Sequence, residues 1–234
     1  MRSVGRSLKL GAVERERLRT GAAELGVSLD DVALRRFADY SEALERWRDA
    51  TNLISCGSAG ELVDRHFLDS LACAWACSAA TIVADLGSGA GLPGIPLAIA
   101  YPERPTLLIE PRRRRASFLR AVKRQLELER VEVFEMRSED IPSERVGSVD
   151  VVVTRAVWSD EEVLRVAAPW MCPGGALLCL RSAPPAKSTA QLPSLLRLEQ
   201  APHYRIGSAR ARRLEIYRKP PMERETLRDV SRET

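Results

Sequence analysis

Asp85-Leu-Gly-Ser-Gly-Ala-Gly-Leu-Pro-Gly94 stands directly after a short apolar run at 82–86 and just before a helical stretch. A glycine-rich turn between strand and helix is the setting a nucleotide-like ligand needs. Gly87, Gly89 and Gly91 leave no side chain between ligand and backbone, and they tolerate positive φ. In the dinucleotide fingerprint G-x-G-x-x-G, counted from Gly87, the third glycine would fall on Leu92. The pattern here is G-x-G-x-G instead, which disfavours a nicotinamide dehydrogenase.

Outward from this turn, strand-like runs recur at 107–110, 131–134, 149–154 and 176–180. Helical stretches separate them, notably 112–128 and 160–171. Such alternation implies parallel strands joined by right-handed crossovers. The expectation is an α/β, Rossmann-like fold with a doubly wound, mostly parallel sheet. Two further strand-like runs, near 204–206 and 214–217, suggest a C-terminal antiparallel hairpin. Ligands bind at the carboxyl edge of such sheets. Glu110, 23 positions after Gly87, ends the second strand, where a carboxylate can accept ribose hydroxyls. Arg137-Ser138-Glu139-Asp140 follows the third strand and suits an adenine edge. G-x-G-x-G with an acid at each of these places points to S-adenosylmethionine. Asp85 is placed to meet that cofactor's ammonium, directly or through water.

The first 80 residues read as a helical extension, 81–219 as the cofactor-binding domain, and 220–234 as a disordered tail. Ser28 with Asp31, and Ser58 with Glu61, look like capping boxes. Phe37, Tyr40, Leu44 and Trp47 then share one helical face, and Leu62, Phe67 and Leu71 another. Five cysteines without a CxxC pair, and only two histidines, argue for reduced thiols and against a metal site. No leader or membrane-length apolar run is present, so a cytoplasmic protein is expected.

Net charge is only +4, so a nucleic-acid surface must come from local clustering. Arg112 to Arg115, Arg120, Lys123 and Arg124 share one stretch without an acid between them. Arg205, Arg210, Arg212, Arg213, Arg218 and Lys219 crowd the final hairpin. Each cluster reads either as a solvated face or as phosphate contacts, with Arg112, Arg115 and Lys123 sharing one side of their helix.

Trp47…Asn52-Leu53, Arg65-His66-Phe-Leu-Asp69-Ser70-Leu71, DLGSGAGLPGIP from Asp85, Phe118-Leu119 and Thr154-Arg155-Ala156 together resemble the RsmG (glucose-inhibited division protein B) family. Members are bacterial enzymes that methylate guanine N7 in 16S rRNA. The resemblance spans roughly residues 35–180. It implies cofactor contacts at Gly87, Leu92, Ser138, Glu139 and Arg155, beside Gly89 and Glu110 read above. It also implies 16S rRNA or a small-subunit particle as partner of a monomeric enzyme. Arg48, Pro111 and Arg181 stand where the family usually has Asn, Ser and Lys. Arg65, His66 and Asp69, one helical turn in all, read as a guanine-pocket group, or as an Arg65–Asp69 pair beside a structural histidine.

Two absences narrow the reaction. After strand four stands Thr154-Arg155-Ala156-Val157 rather than an Asn/Asp-Pro-Pro-aromatic motif, and Cys172-Pro173 reverses the Pro-Cys order of cytosine-C5 enzymes. Guanine N7 offers a free lone pair and no proton, so no general base is expected. The competing readings are a vestigial, non-catalytic RNA binder and a methyltransferase for another RNA, a protein or a small molecule.

Overall fold

A computed structural model describes residues 7–51, 53–77, 79–155, 159–182, 196–206 and 211–221. The Pro- and Ser-rich loop after Ser182, the turn at 207–210 with Arg210, the tail beyond 221, and Asn52, Ala156 and Val157 lie outside the described residues.

The centre is a sheet of β1 (Val83–Leu86), β2 (Thr106–Ile109), β3 (Val131–Phe134), β4 (Val149–Thr154), β5 (Met171–Ser182), β6 (Arg197–Gln200), β7 (His203–Tyr204) and β8 (Arg212–Arg218). The spatial order is β3-β2-β1-β4-β5-β8-β6, with β7 also paired to β8. β1 to β5 run parallel, while β8 is antiparallel to β5, β6 and β7. This is the Rossmann-like, mostly parallel arrangement. The chain winds outward from β1 to β3 and then returns to β4, so β1 lies at the switch point. A crevice opens there beyond the carboxyl ends of the strands.

Successive residues of one strand serve different cores, as a sheet covered on both faces requires. Leu107 and Ile109 pack with Trp170 and the apolar face of α7 (Asp160–Ala167), whereas Leu108 packs on the opposite side. That opposite core also takes in α1 (Ala12–Glu24), α2 (Asp31–Thr51), α5 (Gly94–Ala100) and α6 (Arg113–Gln125). The first 80 residues thus share one continuous core with the sheet: Phe37 packs on Phe67 with ring centroids 5.0 Å apart, and Trp47 on Phe118 at 5.7 Å.

Several local expectations change. α2 is capped by Asp30, whose Oδ1 accepts the Ala33 N–H at 2.7 Å; Asp31 pairs with Arg19 instead of boxing Ser28. Ser58 does cap α3 (Ala59–Leu62), accepting the Glu61 N–H, but Glu61 reaches back to Gly57 rather than to Ser58. From there the rod continues as a π-helical segment, Val63–Leu68, and a last turn, α4 (Asp69–Leu71). α7 stops at Ala167, and β5 begins at Met171, not at 176. The hairpin's first arm is broken into β6 and β7 around Ala201-Pro202, since proline has no N–H to give the ladder. β6 (RLEQ) was not legible: all four of its side chains are exposed, so it shows no apolar alternation.

Candidate active site

The glycine loop leaves β1 with Gly87, Gly89 and Gly91 at φ of 71°, 56° and 87°. At Gly91 a Cβ would also lie 2.6 Å from Ile95 Cγ1 and 3.1 Å from the Tyr40 hydroxyl. Tyr40, fully buried on α2, donates its O–H to the Ala90 carbonyl, so a helix fifty residues upstream props the loop. Behind the loop, Asp85 Oδ2 accepts the Gly94 N–H at 3.0 Å. Its Oδ1 is buried and has no hydrogen-bond partner among the described residues. Burial pushes this carboxyl up to about 7, against the pull of the Gly94 N–H, Ser88 and Arg155.

Glu110 follows β2 and is almost wholly buried. Its Oε2 accepts the Gly89 N–H at 2.9 Å and its Oε1 the Arg112 N–H at 2.8 Å, tying the loop to the start of α6. Each oxygen keeps a further lone pair for a ligand hydroxyl. After β3, Ser138 is buried and its carbonyl accepts the Trp170 indole N–H at 2.8 Å; Glu139 stays exposed.

These pieces enclose a cavity of about 1060 Å³. Gly87, Leu92, Glu110, Ser138, Glu139 and Arg155 line it, as do Arg65, His66, Arg112 and Arg115. Gly89 and Asp69 are not on its wall. Lys123 sits in the last turn of α6, roughly 16 Å along the helix axis from Arg112. The wall also includes Leu53, Ile54, Ser55 and Arg137.

The pairing on the face of this rod differs from the Arg65–Asp69 alternative. Glu61 and Asp69 stand four residues to either side of Arg65, and Arg65 pairs with Glu61. The Asp69 carboxylate turns inward and is 3% exposed. It accepts the Tyr204 hydroxyl at 2.8 Å and meets Arg212 at 3.3 Å and Arg155 Nη2 at 3.4 Å. Among the described residues, Arg155 Nη1 is buried without a hydrogen-bond partner, and so are both ring nitrogens of His66. Burial, then Arg155 and Arg65, push the imidazole down to about 3, so it is neutral at ordinary pH.

The basic runs divide. Arg113 and Arg114 are exposed at the start of α6, beside the cavity-lining Arg112 and Arg115. Arg120 pairs with Glu135, Arg212 with Asp69, Arg213 with Glu215, and Arg218 with Glu199. Lys219 donates to the Ala168 and Met171 carbonyls. Arg212, Arg213 and Lys219 are therefore held within the fold, while the Arg218–Glu199 pair stays exposed.

Residues 33–217 match the family described as rRNA small subunit methyltransferase G, GidB. The chain belongs to that family. Ribosomal RNA small subunit methyltransferase G of Aromatoleum aromaticum is 36% identical over 185 residues, which are 77% of this chain and 87% of that one. The Stenotrophomonas maltophilia K279a protein of the same name is 37% identical, over 76% and 81% of the two chains. Among solved structures, TrmN from Thermus thermophilus superposes with a TM-score of 0.50 at 20% identity, over 67% of this chain and 53% of that one; the likeness is of fold. As a member of the methyltransferase G family this chain is a methyltransferase, and S-adenosylmethionine is its cofactor. Among the described residues no helix is long and apolar enough to cross a membrane.

Tyr40, Tyr204, Arg212 and Trp170 also reach the site or its supports, although their sequence surroundings do not point there. Tyr40 reads as one more apolar-face residue. Tyr204 and Arg212 lie more than 130 positions from the Asp69 they bind. No local signal marks them.

Proposed function

We propose that this enzyme methylates N7 of a guanine in 16S rRNA, as free RNA or in a small-subunit particle, acting as a cytoplasmic monomer. The observation that carries the reading is a cavity walled by Arg155 and backed by the buried Asp85 behind the glycine loop, with exposed arginines beside it. Among the described residues, Asp85 Oδ1 and Arg155 Nη1 are buried without hydrogen-bond partners, and the two groups are close enough to influence each other electrostatically. An amino acid, with its ammonium and its carboxylate, is the complement of such a pair.

The residues present fit S-adenosylmethionine. Asp85 supplies negative potential for the ammonium, and Arg155 a donor for the carboxylate. Glu110 has lone pairs for ribose hydroxyls, and Ser138 with Glu139 flanks the base end. When bound, the cofactor supplies a methyl group on a positively charged sulfur. The chain's own task is then to place a nucleophile in line and exclude water. His66, neutral and poorly basic, offers an N–H to an acceptor such as guanine O6 and does not add a cation beside the ring that becomes charged. Arg112 and Arg115, with Arg113 and Arg114 exposed next to them, suit the phosphates flanking the target. The name shared by the relatives supports rRNA as the substrate.

Mapping methylated bases in 16S rRNA from cells with and without the gene tests this. Borohydride and aniline treatment cleaves RNA at N7-methylguanine because that ring is cationic. One cleavage that disappears on deletion and returns with purified enzyme is expected. Methylation at an exocyclic amine or a carbon would overturn the N7 assignment.

A further inference from the structure

Asp69 lies behind the cavity wall, and yet three donors converge on it. Tyr204 comes from β7, Arg212 from β8 and Arg155 from the end of β4. Three elements remote in sequence therefore meet on one buried carboxylate. Of these donors only Arg155 also lines the cavity. Its Nη2 is held by Asp69 and by the Arg65 carbonyl at 3.5 Å, while its Nη1 makes no hydrogen bond among the described residues. A guanidinium gripped on one amino group and unmet on the other has its direction set by the grip. Burial, and next the Asp69 charge, raise the Tyr204 phenol, so that hydroxyl stays protonated and keeps donating. Arg212 offsets the charge of Asp69, which neutralises the group without drawing on Arg155 alone. Removing the carboxylate would leave two cations together in a half-buried place.

We infer that Asp69, held by Tyr204 and Arg212, is a positioning residue that aims Arg155 Nη1 at the carboxylate of the methyl donor. The carboxylate is favoured over an RNA phosphate because Arg155 is within electrostatic reach of the buried Asp85, whose charge suits the ammonium of the same amino-acid group. The inference rests on the methyl-donor reading of the cavity, which wild-type affinity for S-adenosylhomocysteine tests separately.

The experiment is calorimetry on wild type, Asp69→Asn, Tyr204→Phe and Arg155→Gln with two probes. S-adenosylhomocysteine carries the amino-acid group; 5′-methylthioadenosine lacks it. Asp69→Asn is expected to weaken S-adenosylhomocysteine by about tenfold or more, the scale of a hydrogen bond to a charged group. Methylthioadenosine binding should stay at the wild-type value. Tyr204→Phe, which removes one neutral-donor bond and no charge, should cost about threefold on the first probe only. Adding Asp69→Asn to Arg155→Gln should cost nothing more, because the positioned group is already gone. An equal loss for both probes means general damage and overturns the inference. So does an unchanged S-adenosylhomocysteine affinity with a raised KM for RNA, which would place a phosphate on Arg155. Should Asp69→Asn fail to fold, an unchanged ratio of the two affinities in Tyr204→Phe overturns it alone.

Discussion

The carboxyl of Asp85 carries a pH dependence whose sign follows from its surroundings. It titrates near 7 in the fold, against an ordinary value of 3.8, chiefly because it is buried. The folded chain therefore holds this proton more tightly than the unfolded one. The contribution is full below about pH 4 and is lost as pH rises to about 7. A cationic ligand reverses the preference, since an ammonium favours the ionised form. Affinity for S-adenosylmethionine should thus rise from pH 5 to about 7 and then level off, with proton release on binding in the lower range. Calorimetry in buffers of different ionisation enthalpy reads both effects. In Asp85→Asn the proton release should vanish, and persistence would assign it to another group. At Gly91, alanine meets both a positive φ and Ile95, and should cost about 1–3 kcal/mol. Thermal unfolding measures that loss, and S-adenosylhomocysteine should no longer restore the melting temperature.

At the level of elements, α6 and the helical rod before the sheet show what sequence spacing conveys and where it stops. The glycine loop, Glu110 and Ser138 were legible because strand ends and turn glycines are local signals, and each strand end reaches the same edge. The pairing of Arg65 was not, because Glu61 and Asp69 both stand four residues from it, and the arginines that hold Asp69 are remote in sequence. Grouping Arg112, Arg115 and Lys123 by angle alone ignores distance along the helix. Only the first two border the cavity. Replacing Arg113 and Arg114 with Glu is expected to lower the salt slope of RNA binding by about one unit for each phosphate left unpaired. Cofactor affinity should be untouched. Lys123→Glu should change the slope little; a drop equal to that of the α6 start would extend the RNA track along the whole helix.

On the scale of the molecule, the parallel order of β1 to β5 could be read from alternating runs, whereas the last strand's position could not. β8 is threaded between β5 and β6, and its partners are chosen by tertiary pairing rather than by adjacency. A chain ending at residue 201 would lose β7 and β8, exposing Leu178, Leu180 and the edge of β5. It is expected to be degraded by trace protease at a concentration the full chain resists. A protected core in that truncation would show that β1 to β5 stand alone. Catalysis should show no titration from His66, whose imidazole is neutral above about pH 3. Single-turnover rates at saturating RNA and cofactor are expected to keep the same pH profile in His66→Ala, while falling through lost placement.

The inner seat of β8 also sets a timetable for synthesis. The glycine loop, its Tyr40 prop and both cofactor-side carboxylates leave the ribosome first, yet Asp69 meets Tyr204 and Arg212 only when almost the whole chain is out. Until then Asp69 of the nascent protein has Arg155 but neither Tyr204 nor Arg212, beside a parallel sheet with an open side. Long-range closure of this kind is slow, and it leaves an intermediate open to capture by chaperones. A prematurely released fragment is therefore marked for removal by its own missing end.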